Sequence, residues 1–170
     1  MALDRKKKSL AAVMGASAAA ALVAFTAPRE GVSLTPYSDH LANGLATVCY
    51  GETNAPMRRY TLPECKQMLA DSLADYATRV RYMTPGFDSL TDGQKVAVVD
   101  FAYNAGPKNY ERSTLRRLYI AKDFPAACDA FLQWRFVAGG TKDCFNPANK
   151  CSGIAERRRA ARAACLGDTP

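Results

Sequence analysis

Two carboxylates near the start of the chain, Glu30 and Asp39, are separated by eight residues. Cleaving a glycosidic bond needs one carboxyl held protonated, to donate to the leaving oxygen. It also needs a second group on the other face of the sugar, acting on water or on the forming cation. A carboxyl at the foot of a helix and another on a neighbouring strand can face across a cleft, and this spacing permits it. Spacing alone is weak, since such pairs are common, and the alternative is two solvated surface acids. Other chemistries fit less well. His40 is the single histidine, whereas a zinc hydrolase normally wants two or more. His40 also precedes every cysteine, the reverse of the order in the usual Cys–His hydrolases, and no G-x-S-x-G elbow is present. Carboxylate chemistry without metal or cofactor is the expectation.

Such a pair needs elements to position it. The chain has 170 residues, 48% hydrophobic and 23% charged, the balance of one soluble globular domain with an appendage. Its net charge of +7 suggests an anionic partner: nucleic acid, anionic lipid or an acidic wall polymer.

The first 27 residues differ from the rest. Arg5, Lys6, Lys7 and Lys8 form a positive head, and Ser9 to Ala27 carries no charge. One helix over that stretch just spans a bilayer core of about 30 Å, with the positive head inside and the rest outward. Nine of its residues are alanine, so the span is marginal. An ordinary cleaved signal peptide is the alternative. Phe25-Thr26-Ala27-Pro28 makes a poor cleavage site, which favours an uncleaved anchor over residues 9–27 and a domain over 28–170. On either reading the domain lies outside the cytoplasm. There, nucleic acid is not the partner, and the arginines of the last helix read as a solvated face.

Six cysteines agree with an oxidising compartment and three disulfides. Fifteen pairings are possible; Cys144 and Cys151 bracket a short Asn-Pro loop and pair most simply. Turn signals at Asn43-Gly44 and Gly51 mark a β-hairpin. Thr61-Leu-Pro-Glu64 is a capping box, opening a helix with a stripe of Leu62, Cys65, Leu69, Leu73, Tyr76 and Val80 that breaks at Pro85-Gly86. Thr91-Asp-Gly-Gln94 opens another helix, broken at Gly106-Pro107. Residues 113–121, 124–137 and 153–165 read as three more. The class is α+β: a small hairpin lobe and a mainly helical lobe, preceded by an apolar helix.

These segments resemble a known family in order. Glu30-Gly31-x-x-Leu34-x-x-Tyr37-x-Asp39, Thr47-Val-Cys-Tyr-Gly-Glu-Thr53, Leu90-Thr91-x-x-Gln94, Phe101-Ala-Tyr-Asn-Ala-Gly106, Ser113-Thr-Leu115, the Trp134 segment with Ala138-Gly-Gly140, and Gly153-Ile-x-x-Arg157-Arg158 are similar to the phage-type lysozymes of glycoside hydrolase family 24. With the basic-headed weak anchor, the chain is most similar to their signal-arrest-release endolysins, from phages of Gram-negative hosts.

The resemblance implies a lysozyme-like fold and a set of roles. Glu30 takes the position of the general acid, Asp39 that of the acid that positions water, and Thr47 that of the threonine helping to hold it. Seven residues separate Asp39 from Thr47 where close relatives have five, a hairpin longer by two. Asn104 matches a cleft-lining position, with a helix C-cap as the alternative. Tyr50 is a substrate-side candidate; it and Trp134 otherwise read as core. His40 reads as an exposed hairpin residue. Beside Cys144–Cys151, we expect Cys128–Cys165 between the last helices and Cys49–Cys65 between hairpin and first long helix.

The implied activity is a periplasmic muramidase on peptidoglycan. It is monomeric, silent while residues 9–27 sit in the inner membrane, and dependent on a holin. A lytic transglycosylase shares the substrate and the acid but needs no water activator. A membrane-tethered wall-binding module would need no acid at all.

Overall fold

The computed structural model describes residues 8–39 and 44–168. His40, Asn43 and, of the positive head, Arg5, Lys6 and Lys7 lie outside the described residues.

The N-terminal stretch forms two helices, α1 (Leu10–Met14) and α2 (Ala16–Glu30). Gly15 separates them, at φ 92° and ψ 153°, a conformation that suits a residue with no Cβ. Ser9 caps α1, its hydroxyl accepting from the Ala12 N–H at 3.2 Å. Over residues 9–27, where a single apolar helix was expected, the structure has a broken pair. Among the described residues no helix is long and apolar enough to cross a membrane. The pair does not precede the domain but packs into it, with Leu10, Val13, Met14, Ala18 and Leu22 buried in the common core. The boundary drawn at residue 27 falls inside α2.

α2 leads into an antiparallel hairpin of β1 (Ser33–Asp39) and β2 (Leu45–Cys49). Its register pairs Tyr37 with Thr47 and Asp39 with Leu45, with an irregularity between Ser33 and Tyr37. Pro36, which has no N–H to give the ladder, lies in that interval. β2 carries the hairpin's buried residues, Thr47, Val48 and Cys49.

The capping box at Thr61 is formed, and it opens α3 (Leu62–Met83). Cys65, Leu69, Leu73 and Val80 are buried as the period requires, whereas Leu62 is exposed and Tyr76 half-buried. Pro85 holds Thr84 out of the helical region. The second capping box opens α4 (Asp92–Ala105), the central element. Val96, Ala97, Val98, Val99, Phe101 and Ala102 are all buried, so this stretch of α4 is enclosed on all sides, as in a helix surrounded by others. α2, α3 and α8 (Ser152–Leu166) pack around it. Gly93 sets the approach of α8, because a Cβ there would lie 2.0 Å from the Ala164 carbonyl oxygen.

Short helices α5 (Pro107–Arg112), α6 (Thr114–Ile120) and α7 (Phe124–Ala130) complete the lobe. α5, with Pro107 at its first position, was not read from the sequence. The helix expected over 124–137 stops at Ala130. A short 3-10 turn follows, and β3 (Phe136–Val137) pairs with β4 (Lys142–Asp143). Partners outside any helix hold this backbone: Arg158 Nε donates to the Trp134 carbonyl at 3.0 Å, and the Cys144 N–H to the Arg135 carbonyl at 2.8 Å. Disulfides join Cys49 to Cys65, Cys128 to Cys165 and Cys144 to Cys151, the pairs drawn from the sequence.

Candidate active site

Glu30 is the last residue of α2, and Gly31 at φ 70° turns the chain from helix to strand. This reversal puts the carboxylate at the mouth of a cleft with a hollow on either side. One, of about 460 Å³, is lined by Glu30, Tyr37, Asp39, Cys49 and Tyr50 among others. The second, of about 870 Å³, is lined by Glu30, Asn104, Cys151, Glu156 and Arg157 among others. The first brings Glu30 and Asp39 together, as the spacing allowed. The larger apolar hollow, about 1120 Å³ between α1, α2 and the start of α3, contains neither acid.

Thr47 shares the hairpin face of Tyr37 and Asp39, since side chains two residues apart project to the same side. It is 2% exposed, and its hydroxyl donates to the Leu45 carbonyl at 3.0 Å. The oxygen lone pairs remain able to accept. Tyr50 is mostly buried and reaches the edge of both the first hollow and the apolar one. Asn104 is not the helix cap, which is Gly106. Its Oδ1 accepts from Arg158 Nη2 at 2.8 Å. This leaves its amide N–H groups as the donors available to the second hollow. Trp134 packs edge-on against Phe101, centroids 5.0 Å apart, as core.

The polar centre behind Glu30 was not read from the sequence. Arg157 and Arg158 are 5% and 4% exposed, which corrects the reading of the last helix as a solvated face. Arg157 Nη1 donates to Glu30 Oε1 at 2.6 Å, while its Nε and Nη2 donate to Asp100 Oδ2 and Oδ1 at 2.9 and 2.8 Å. Thr26 Oγ1 donates to Asp100 Oδ1 at 2.9 Å. Burial works against the Arg157 charge, yet Asp100 and Glu30 outweigh it and hold the guanidinium above its ordinary pKa. Among the described residues no carboxylate pairs with Arg158. Burial, and then repulsion from Arg157, bring it down to about 10. Its guanidinium lies 5.1 Å from the centre of the Phe101 ring. The Tyr103 hydroxyl is held protonated by burial first and by the nearby Glu30 and Glu52 charges second.

A signal for this centre did exist. Asp100 is a lone charge in the otherwise apolar run Val96 to Ala102, and a buried carboxylate requires a cation. Arg157 and Arg158, in the Gly153-Ile-x-x-Arg157-Arg158 segment, lie too far along the chain for spacing to identify them as that cation.

Comparison with known proteins agrees with this architecture. The phage lysozyme family model matches residues 27–161. A SAR-endolysin of bacteriophage PS34 is 34% identical over 166 residues, 92% of this chain and 91% of its own. That of enterobacteria phage P21 is 32% identical over 170 residues, 95% and 94% of the two chains. The endolysin of Escherichia coli O157:H7 phage FAHEc1 superimposes with a TM-score of 0.68 at 22% identity, covering 91% of this chain and 93% of that one. The chain, a glycoside hydrolase of lysozyme type with SAR-endolysin relatives, belongs to the phage lysozyme family.

Proposed function

We propose that the enzyme is a muramidase cutting the β-1,4 bond between N-acetylmuramic acid and N-acetylglucosamine in peptidoglycan. The observation that carries this is Glu30 and Asp39 lining one cleft hollow, with Glu30 gripped from behind by Arg157. Glu30 protonates the leaving oxygen. Asp39, with Thr47, handles water on the opposite face of the ring, giving inversion. Asn104 and Tyr50 contact the glycan. Activity follows a bell-shaped pH profile, because one carboxyl must be protonated while the other is ionised. Replacing Glu30 by Gln should cost about a thousandfold in wall hydrolysis, within the range of general acid catalysis, and leave the fold unchanged. Substantial hydrolysis by folded Glu30→Gln protein would remove Glu30 from the mechanism. Mass analysis of released muropeptides checks the bond chemistry: hydrolysis gives reducing ends, while anhydro ends would indicate a transglycosylase.

The same reading includes control at the host inner membrane. While residues 9–27 lie in the bilayer, α2 cannot pack on α4, and Glu30 stands only two residues beyond the span, away from Arg157. The tethered enzyme is silent. A holin collapses the membrane potential that opposes exit of the positive head, and the span leaves uncleaved. It then breaks at Gly15, docks as α1 and α2, and frees an active monomer in the periplasm. The alanines that make the span marginal support this reading, as does the burial of Ala18, Ala19 and Ala27 against the lobe.

A further inference from the structure

We infer that Asp100 is a positioning residue for Glu30: by taking up the charge of Arg157, it lets that guanidinium hold the acid in place without fixing it as a carboxylate. This rests on the reading of Glu30 as general acid.

Asp100 has no exposed surface, and both its oxygens are engaged, Oδ1 by Thr26 and Arg157 and Oδ2 by Arg157. Burying an ion pair carries a large desolvation penalty before its partner compensates, and an apolar contact between α4 and α8 would avoid it. A third group makes sense of the pair, since the free arm of the same guanidinium ends on Glu30. A lone cation in contact with Glu30 would favour its ionised form, the wrong form for a proton donor. Asp100 cancels that cation at bonding distance. Arg157 then supplies direction, with part of its charge offset by the buried carboxylate.

The geometry also joins this to the docking of α2. Thr26 and Glu30 are four residues apart, on one helix face. Asp100 therefore meets that face twice, through the Thr26 hydroxyl and through Arg157. Other charged and titratable groups around Glu30 are Arg29 on its own helix, Asp39, Tyr37 and Tyr50 from the hairpin side, Tyr103 on α4 and Glu156 on α8. None of these residues is altered in the variants below.

The test is the pH–activity profile of the full chain on purified peptidoglycan, for wild type, Asp100→Asn, Arg157→Gln and the double variant, with thermal unfolding as the check on folding. Asp100→Asn leaves Arg157 unopposed beside Glu30. The alkaline limb should move down by roughly one pH unit, about a tenfold loss on that side, with the acid limb unmoved. The double variant removes both charges, and its alkaline limb should return to within about half a unit of wild type. The double variant decides alone if Asp100→Asn does not fold, because it leaves no unpaired buried charge. A uniform fall in rate at all pH values, or an alkaline limb displaced by more than about a unit in the double variant, would overturn the inference. Glu30→Gln assayed alongside separates the two ideas. If that variant is active, the general-acid reading fails; if it is inactive while the limbs stay put, only the role of Asp100 fails.

Discussion

The N-terminal pair α1–α2 and the lobe built on α4 share one core yet are fastened differently. α2 buries Ala18, Ala19, Leu22, Thr26 and Ala27, one large side chain among small ones. α4 buries three valines and Phe101, with Phe131 edge-on to Phe101 at 5.8 Å. All six cysteines lie at residue 49 or beyond, so the disulfides fix the hairpin and the lobe but tie nothing to α1 or α2. What holds α2 is shallow apolar contact plus a polar latch at its last turn, Thr26 to Asp100 and Glu30 to Arg157. A segment joined in this way can belong to the fold and still be absent from it at another time. On the proposed mechanism, the covalently fastened lobe waits for α2 to bring Glu30 into place.

The largest effect that would break this contrast is on lysis. Ala20, Ala21 and Ala24 lie on the exposed side of α2, so Leu there deepens membrane insertion without overfilling the docked interface. Each change adds three carbons at about 0.8 kcal/mol apiece when buried in the bilayer. The triple variant should stay in the membrane fraction and fail to lyse cells after depolarisation. Lysis on the normal schedule would reduce the segment to a signal peptide.

Next come the staples of the lobe. In the chain-entropy picture, closing the 37-residue separation of Cys128–Cys165 stabilises by roughly 4 kcal/mol, against about 2.5 for the 7-residue Cys144–Cys151. Paired Cys→Ser variants in denaturant unfolding should follow that order. A smaller loss belongs to α2. Leu22→Ala, at a site with no exposure, should cost about 2–4 kcal/mol. Protease should then cut within residues 8–30 before it cuts the lobe. Simultaneous cleavage of both regions would mean they are fastened alike.

The smallest effect concerns Glu64 in the first capping box. The Thr61 backbone N–H, then Arg58 and the Thr61 hydroxyl, bring its carboxyl down to about 2. A depressed folded-state pKa stabilises above the unfolded value of about 4, and the contribution is lost as pH falls through about 2. Because the group is exposed, Glu64→Gln should shift the midpoint only slightly, and only above that window.

Capping boxes, helix period and cysteine spacing are local signals, and α3, α4 and the hairpin were legible from them. So were Glu30 and Asp39, because their motif is contiguous. Less legible was whatever depends on distant partners. The stop of α7 depends on Arg158 and Cys144 reaching back to Trp134 and Arg135. The burial of Arg157 depends on Asp100, 57 residues earlier. Gly15 was readable as a possible break, but a run of alanines suits a membrane or a protein surface equally. Only the docked partner α4 distinguishes them.

The central claim is that the segment leaves the membrane intact and becomes part of the active enzyme. Intact mass and N-terminal sequencing of active protein recovered from the periplasm test it most directly. The account predicts the uncleaved chain, close to 18.4 kDa, with residues 9–27 present in the species that hydrolyses wall. A fully active species beginning at or after Pro28 would contradict it.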